Sequence, residues 1–271
     1  MADIIPHSVN FDGAPRASGW PNIESLLEVE LNADVLKENG IVGFFAGHSQ
    51  ARAFHILRTQ VMKRALSHEY RVIGVVSAAP SAGKTFIATN LAAALSQNPQ
   101  LEVYYLDLDF RNPSVARVLG MEIEHGLESL LRDESFPMAE VGRRVSGTNL
   151  AVFPTIREMR GSTALIQSEK FGSLMAEARK FGKNRIVICD LPPVLAGDDA
   201  MLSVQNLDAY LMVAAADKTT ARQVTESLAL LDGTPCLGSI LNRYSGGVFD
   251  TYGYGAYSDK YSQYYSEDEY Q

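Results

Sequence analysis

Apolar positions along this chain fall into two kinds of run, and they alternate. Short runs dense in β-branched residues, such as Val72, Ile73, Val75 and Val76, show no polar face and are bounded by turn residues, as strands buried on both faces are. Longer runs repeat at helical spacing; Phe86, Ile87, Leu91, Ala94 and Leu95 form one. The pattern predicts strands at 102–108, 150–153, 185–189, 209–215 and 236–241, with helices near 126–132 and at 163–181, 198–206 and 219–231. Such alternation implies an α/β fold, a doubly wound, mostly parallel sheet with helices on both faces. Ligands of such sheets gather at the carboxyl ends of the strands, so the residues just after each strand are the ones to search.

Before the first strand the pattern changes. Residues 1–21 mix Pro, Gly, Ser and Asn around the only tryptophan, Trp20, and predict a loosely docked leader. Ile23, Leu26, Leu27, Leu31, Val35 and Leu36 predict one amphipathic helix ended by Gly40 and Gly43. A second helix is expected at 50–66, with Phe54, Leu57, Val61 and Leu66 on its apolar face. The expected division is an N-terminal extension at 1–47 carrying one helix, an α/β domain at 48–247 and a flexible tail at 248–271.

Composition narrows the classes. A net charge of −8 argues against a nucleic-acid surface, which needs a basic face. Cys189 and Cys236 both lie in apolar runs and read as reduced core residues of a cytoplasmic protein. The apolar run 209–216 is far shorter than a membrane-spanning helix, so a membrane link is expected to run through a partner.

The chemistry-bearing stretch is RVIGVVSAAPSAGKT, a strand that stops at a turn-rich loop before a helix opens near Gly83 to Thr85. Unpaired amides at a helix start, with the dipole behind them, attract anions. Ala79, Pro80, Ser81, Ala82, Gly83 and Phe86 complete the expected phosphate cradle around Lys84, whose charge suits the β/γ-phosphates, and Thr85, whose hydroxyl suits Mg²⁺. The loop motif GxxxxGK[ST] wants Gly at 78; Ala78 is tolerable if its φ is ordinary. Two strands end in acid: Asp107 and Asp109 with Arg111 just beyond, and Asp190 before Pro192 and Pro193. Mg²⁺ takes one or two protein oxygens beside phosphate oxygens, which suits Thr85, Asp107 and Asp190; strand-tip Asp also commonly caps turns. Asn242 ends the last strand, where its amide can read a purine edge or form a turn. The guanine-selecting Asn-Lys-x-Asp pattern is absent, which favours ATP over GTP.

After Gly247 the composition shifts to Tyr252, Tyr254, Tyr257, Tyr261, Tyr264, Tyr265 and Tyr270 among Gly, Ser and acids, a segment expected to be disordered. Clustered phenols on a flexible segment attached to an ATP site suggest phosphoacceptors; a sticky aromatic tail is the alternative. Such a tail spans roughly 27 Å on average, enough to reach a neighbouring subunit.

On these residues, the chain resembles the cytoplasmic kinase of the bacterial tyrosine kinases, P-loop proteins that phosphorylate their own C-terminal tyrosines and regulate capsule or exopolysaccharide export. AAPSAGKT resembles the family's Walker A, LDLDFR its Asp-x-Asp-x-Arg motif, ICDLPP its Walker B and the tyrosine tail its acceptor region. The resemblance implies catalytic roles for Lys84, Asp107 and Asp109, a metal site completed by Asp190, ATP and Mg²⁺ as cofactors, and a transmembrane polysaccharide co-polymerase as activator at the inner face of the plasma membrane. It also implies a homo-oligomer, with ring assembly in question. Where the family's contact helix carries Glu-x-x-Arg-x-x-Arg, this chain has Arg52, His55 and Arg58. Two other readings stay open: a partition-type ATPase, which would carry a lysine at the place of Ala79, and a nucleotide-dependent assembly module without kinase activity.

Overall fold

The computed structural model describes residues 19–244 except Ala46, Glu134 and Asp217. Eight strands run through them: β1 (Leu27–Val29), β2 (Val72–Ser77), β3 (Glu102–Asp107), β4 (Arg143–Val145), β5 (Leu150–Phe153), β6 (Arg185–Asp190), β7 (Ala209–Ala215) and β8 (Cys236–Asn242). The α-helices are α1 (Ala33–Glu38), α2 (Ala51–Ser67), α3 (Lys84–Ser96), α4 (Val115–Leu119), α5 (Leu127–Arg132), α6 (Met138–Val141), α7 (Ser162–Ile166), α8 (Glu169–Ala178), α9 (Asp199–Val204) and α10 (Ala221–Leu230).

The strands form one sheet in the order β1-β4-β5-β3-β6-β2-β7-β8. Every neighbouring pair is parallel except β4 with β5. The central strands are apolar on both faces because both faces are covered: every residue of β2 is buried, and side chains alternate into two separate cores. One core lies under α2 and α3 with Ile73, Val75, Tyr105 and Ile188; the other lies under α8 and α9 with Val72, Val76, Leu106 and Val187. Each such aliphatic side chain contributes roughly 1.5–3 kcal/mol by leaving water. This places the carboxyl ends of β2, β3 and β6, the three strands that carry the loop and the acids, side by side.

The N-terminal expectation is corrected. Residues 23–36 do not form one helix: a 3₁₀ turn at Ile23–Ser25 is followed by β1, which joins the sheet parallel to β4, and then by the short α1. Two asparagines impose the breaks, since Asn22 and Asn32 each cap the element that follows with a side-chain oxygen. Trp20 is also docked: its Nε1 donates to the Leu174 carbonyl at 2.9 Å, and its ring meets Tyr104, Phe153 and Phe181 edge-on at 5.2–6.0 Å. The helix predicted at 163–181 is interrupted as α7 and α8, because Ser168 turns to accept from the Phe171 amide and restarts the helix. The segment after α1 lies against α3. Buried Asn90 accepts from the amides of Val42 and Gly43 at 2.8 and 2.9 Å, and a β-carbon at Gly43 would collide with the α3 backbone.

Candidate nucleotide site

The turn from β2 into α3 builds the first wall. Gly83, just before α3, has φ +92°, and Ser81 has φ +62°, so two left-handed residues fold the loop around its own amides. Ala78 is not among the positive-φ residues, which is why a β-carbon fits where the motif usually has glycine. Asn242, at the end of β8, supports the loop from behind: its Nδ2 donates to the Ala82 carbonyl at 2.9 Å, and a β-carbon on Gly83 would strike that nitrogen. Its Oδ1 accepts from the Arg243 amide. Both ends of the Asn242 side chain are thus engaged by backbone, and it holds the loop instead of facing a base.

The acids form the second wall. Lys84 Nζ lies 2.8 Å from Asp109 Oδ2 and 3.5 Å from Asp190 Oδ1, while Thr85 Oγ1 donates to Asp190 Oδ2 at 2.5 Å. Asp107 sits deeper. Its carboxylate accepts from the amides of Asp109, Ser114 and Val115, so the turn after β3 closes on it. Its carbonyl accepts from Thr155 Oγ1 at 2.7 Å, which fastens the loop after β5 to the same strand tip.

Burial first, and then the Asp190 charge beside it, raise the Asp107 carboxyl to about 8, although amide hydrogen bonds and Lys84 pull it back. Burial also raises Asp190, against the pull of Lys84 and Thr85. For Lys84, burial alone would lower the ammonium; Asp190, Asp109 and Asp107 together outweigh it and hold the group protonated and raised. Three buried carboxyl groups therefore share one buried ammonium, so acid exceeds ammonium in the buried part of the site.

Between the walls lies a cleft of about 380 Å³. Pro80, Ser81, Gly83, Lys84, Thr85 and Asp109 line it; Ala79, Ala82, Phe86, Asp107, Asp190 and Asn242 do not. The Phe86 ring turns away to pack edge-on against Phe54 at 5.6 Å. On the far side the sequence marks Arg111 but not its partner. Asp199 is buried and accepts from Arg111 Nε at 2.7 Å, Ser162 Oγ at 2.6 Å and Thr163 Oγ1 at 3.0 Å, tying together the loops after β3, β5 and β6. Arg111, Ser114, Arg117 and Arg243 also face the cleft. The tyrosines from Tyr252 to Tyr270 lie outside the described residues.

Residues 69–244 match the family described as ParA: NUBPL iron-transfer P-loop NTPase. The chain belongs to the ParA-type P-loop NTPases. Among the described residues of this P-loop NTPase, no group of three or more His, Cys, Asp or Glu is placed to hold a metal; both cysteines are free, but only Cys189 is a core residue, since Cys236 opens the edge strand β8 and is exposed. It is 31% identical over 210 residues to the tyrosine-protein kinase wzc of Salmonella typhimurium, covering 76% of this chain and 28% of the relative. It is 27% identical over 213 residues to the tyrosine-protein kinase YwqD of Bacillus subtilis, covering 78% of this chain and 88% of YwqD. The solved kinase domain of Escherichia coli tyrosine kinase ETK superposes with a TM-score of 0.70 at 26% identity, over 79% of this chain and 84% of that one. The chain thus spans about a quarter of wzc and most of YwqD.

Proposed function

We propose that this P-loop NTPase is a protein-tyrosine kinase that transfers the γ-phosphoryl group of ATP to its own tyrosines, Tyr252, Tyr254, Tyr257, Tyr261, Tyr264, Tyr265 and Tyr270, and thereby regulates exopolysaccharide or capsule synthesis. The observation that carries the reading is the 2.8 Å approach of Lys84 Nζ to Asp109 in a cleft walled by the loop. A phosphate-binding ammonium and an acid able to orient a hydroxyl meet in one place. Phosphoryl transfer passes through a loose transition state and asks mainly for positioning and charge neutralisation. The loop amides and Lys84 grip the phosphates. Asp109 lines the cleft and orients the phenol, whereas Asp107 is buried behind it and shapes the turn that presents Asp109.

Mg²⁺ fits this donor set. Thr85 Oγ1 and Asp190 offer hard oxygens side by side, and the excess of buried carboxylate over ammonium calls for a cation. Thr85 and Asp190 would hold the ion, which would supply positive charge against the phosphates. The kinase acts at the inner face of the membrane, where a transmembrane polysaccharide co-polymerase activates it. No helix among the described residues is long and apolar enough to cross a membrane. Self-assembly through α2 would differ from the family pattern, because Arg58 is directed inward and donates to the Ala94 carbonyl of α3 at 2.9 Å.

The test is peptide mapping of the pure chain after incubation with Mg-ATP, alone and with the co-polymerase's cytoplasmic segment. Phosphate on the tail tyrosines, lost in Lys84→Met, supports the kinase; ATP turnover with unmodified tyrosines under both conditions contradicts it and favours a partition-type ATPase.

A further inference from the structure

Arg111 is held on one edge and open on the other. It sits in the turn after β3, which the Asn112 amide closes on the Asp109 carbonyl at 3.1 Å. Asp109 in the same turn meets Lys84, the ammonium suited to the β/γ-phosphates, so Arg111 faces the end of the cleft where a terminal phosphate would lie. Asp199 takes one edge of the guanidinium: Nε donates to Oδ2 at 2.7 Å and Nη2 to Oδ1 at 3.4 Å, the two-point geometry that fixes the plane of the group. Nη1 has no hydrogen-bond partner among the described residues. It lies beside Gly197, where a β-carbon would come within 3.2 Å of it.

The carboxylate that holds it is itself fixed. Asp199 opens α9 and accepts from Ser162 Oγ at 2.6 Å and Thr163 Oγ1 at 3.0 Å, both in the first turn of α7. The chain enters that turn through Gly161 at φ +87°, and the Met159 amide fastens the approach to the Phe110 carbonyl at 2.8 Å. A contact that only tied loops together would take the whole guanidinium out of water. Here the Asp199 side chain keeps 4% of its exposure and the Arg111 side chain 49%. Arg117 and Arg243 also line the cleft, but they are exposed and enter no ion pair among the described residues. Arg111 is thus the arginine of this cleft that is aimed in advance, and a pre-aimed fork loses less freedom when phosphate arrives.

We infer that Asp199 is a positioning residue for nucleotide selection: it aims Arg111 at the terminal phosphate, so that the cleft prefers a triphosphate to a diphosphate. The inference rests on the kinase reading for the use of that phosphate, but binding tests it without transfer. Isothermal titration of the full chain in Mg²⁺ compares ADP with the β,γ-imido analogue of ATP, which does not donate its phosphoryl group. The native chain binds the analogue tighter. Arg111→Gln lowers that preference by roughly tenfold, the loss of a charge-assisted contact, and leaves ADP binding within about threefold. Asp199→Asn lowers the preference by about three- to fivefold; removing the Asp199 charge alone strengthens attraction for every phosphate, so this loss comes only from lost aim.

In the double variant the preference falls no further than in Arg111→Gln alone, because Asp199 acts through Arg111. Ser162→Ala keeps the Asp199 charge, removes one hydrogen bond from it and lowers the preference about twofold, so the test stands even where Asp199→Asn does not fold. Equal binding of the two nucleotides by the native chain, or an unchanged preference in Arg111→Gln, overturns the inference. So does a preference unchanged or raised in folded Asp199→Asn or, where that variant does not fold, in Ser162→Ala, and so do separate losses that add in the double variant. The expected losses without phosphate on any tyrosine leave Arg111 and Asp199 in these roles and fail the kinase reading instead. Tail phosphorylation with an unchanged preference in Arg111→Gln fails the inference alone.

Discussion

Asp107 and Asp190 stand opposite each other on neighbouring parallel strands, register partners at the tips of β3 and β6, and both are fully buried. Strands are about 4.8 Å apart, so two carboxylates there cannot both ionise cheaply, and Lys84 is the single ammonium between them. The nucleotide-free site is left with more buried acid than it can neutralise.

That imbalance makes the stability of the nucleotide-free protein depend on pH. Asp107 titrates at about 8 when folded and near 3.8 when unfolded. Between those values the unfolded chain has released a proton that the folded chain keeps, so this group's contribution falls as pH rises through the window and levels off above about 8. The thermal midpoint of the apo protein is expected to drop between pH 6 and 8.5. Saturating Mg-ATP, which replaces the proton with a cation, flattens that slope, and Asp107→Asn flattens it without ligand. Scanning calorimetry across this pH range checks all three.

The same imbalance couples nucleotide binding to proton release. Burial raises both Asp107 and Asp190, so the pair retains proton near neutral pH, and a divalent cation held at Thr85 and Asp190 would favour its ionised form. Isothermal titration of Mg-ATP in buffers of different ionisation enthalpy is expected to report close to one proton released at pH 7, and much less at pH 9. Asp107→Asn abolishes the release.

Asn242 and Gly83 give a test of loop support. Asn242→Ala frees the Ala82 carbonyl and is expected to weaken ATP and GTP alike, by about five- to tenfold for one lost, partly buried hydrogen bond. A purine-reading side chain would change the ATP to GTP ratio instead. Gly83→Ala meets both the left-handed backbone and the Asn242 nitrogen, and costs on the order of 1–3 kcal/mol. In the double variant the collision is relieved and the strain remains, so the two losses sum to less than their separate values. Titration calorimetry and denaturant unfolding measure these.

Trp20 reports on the N-terminal segment. Its removal in Trp20→Ala empties a slot among Tyr104, Phe153 and Phe181 and frees the Leu174 carbonyl, for a loss of about 2–4 kcal/mol in urea unfolding. As the only tryptophan it is also the probe: its emission is expected to be blue-shifted in the folded chain and to move red in the same transition that melts the helices.

The sequence was legible where local pattern and environment coincide. β2, β3, β6, β7 and β8 announce themselves because strands covered on both faces need apolar runs, and the phosphate loop because its parts are contiguous. β1 and β4 were illegible: each has three residues, β1 is mostly exposed and β4 begins with Arg143 and Arg144, so only pairing with each other and with β5 defines them. The same divide runs through the site. Lys84 and Thr85 follow from the motif, whereas the tie from Arg111 to Asp199 joins residues 88 positions apart and leaves no local signal. Asn242 shows the limit from another side, since residue type gives an amide but not the direction it faces.

The central claim, that this cleft moves phosphoryl groups onto the chain's own tail, is tested most directly by mixing two variants. One is Lys84→Met with its tail intact; the other keeps the cleft and has all seven tail tyrosines changed to Phe. After incubation with Mg-ATP, intact-mass spectrometry is expected to show phosphoryl groups added to the Lys84→Met chain only in the mixture. An unchanged Lys84→Met mass in the mixture, when the native chain incubated by itself does phosphorylate its tail, would place the transfer within one molecule; an unchanged native chain, even with the co-polymerase segment present, would contradict the claim.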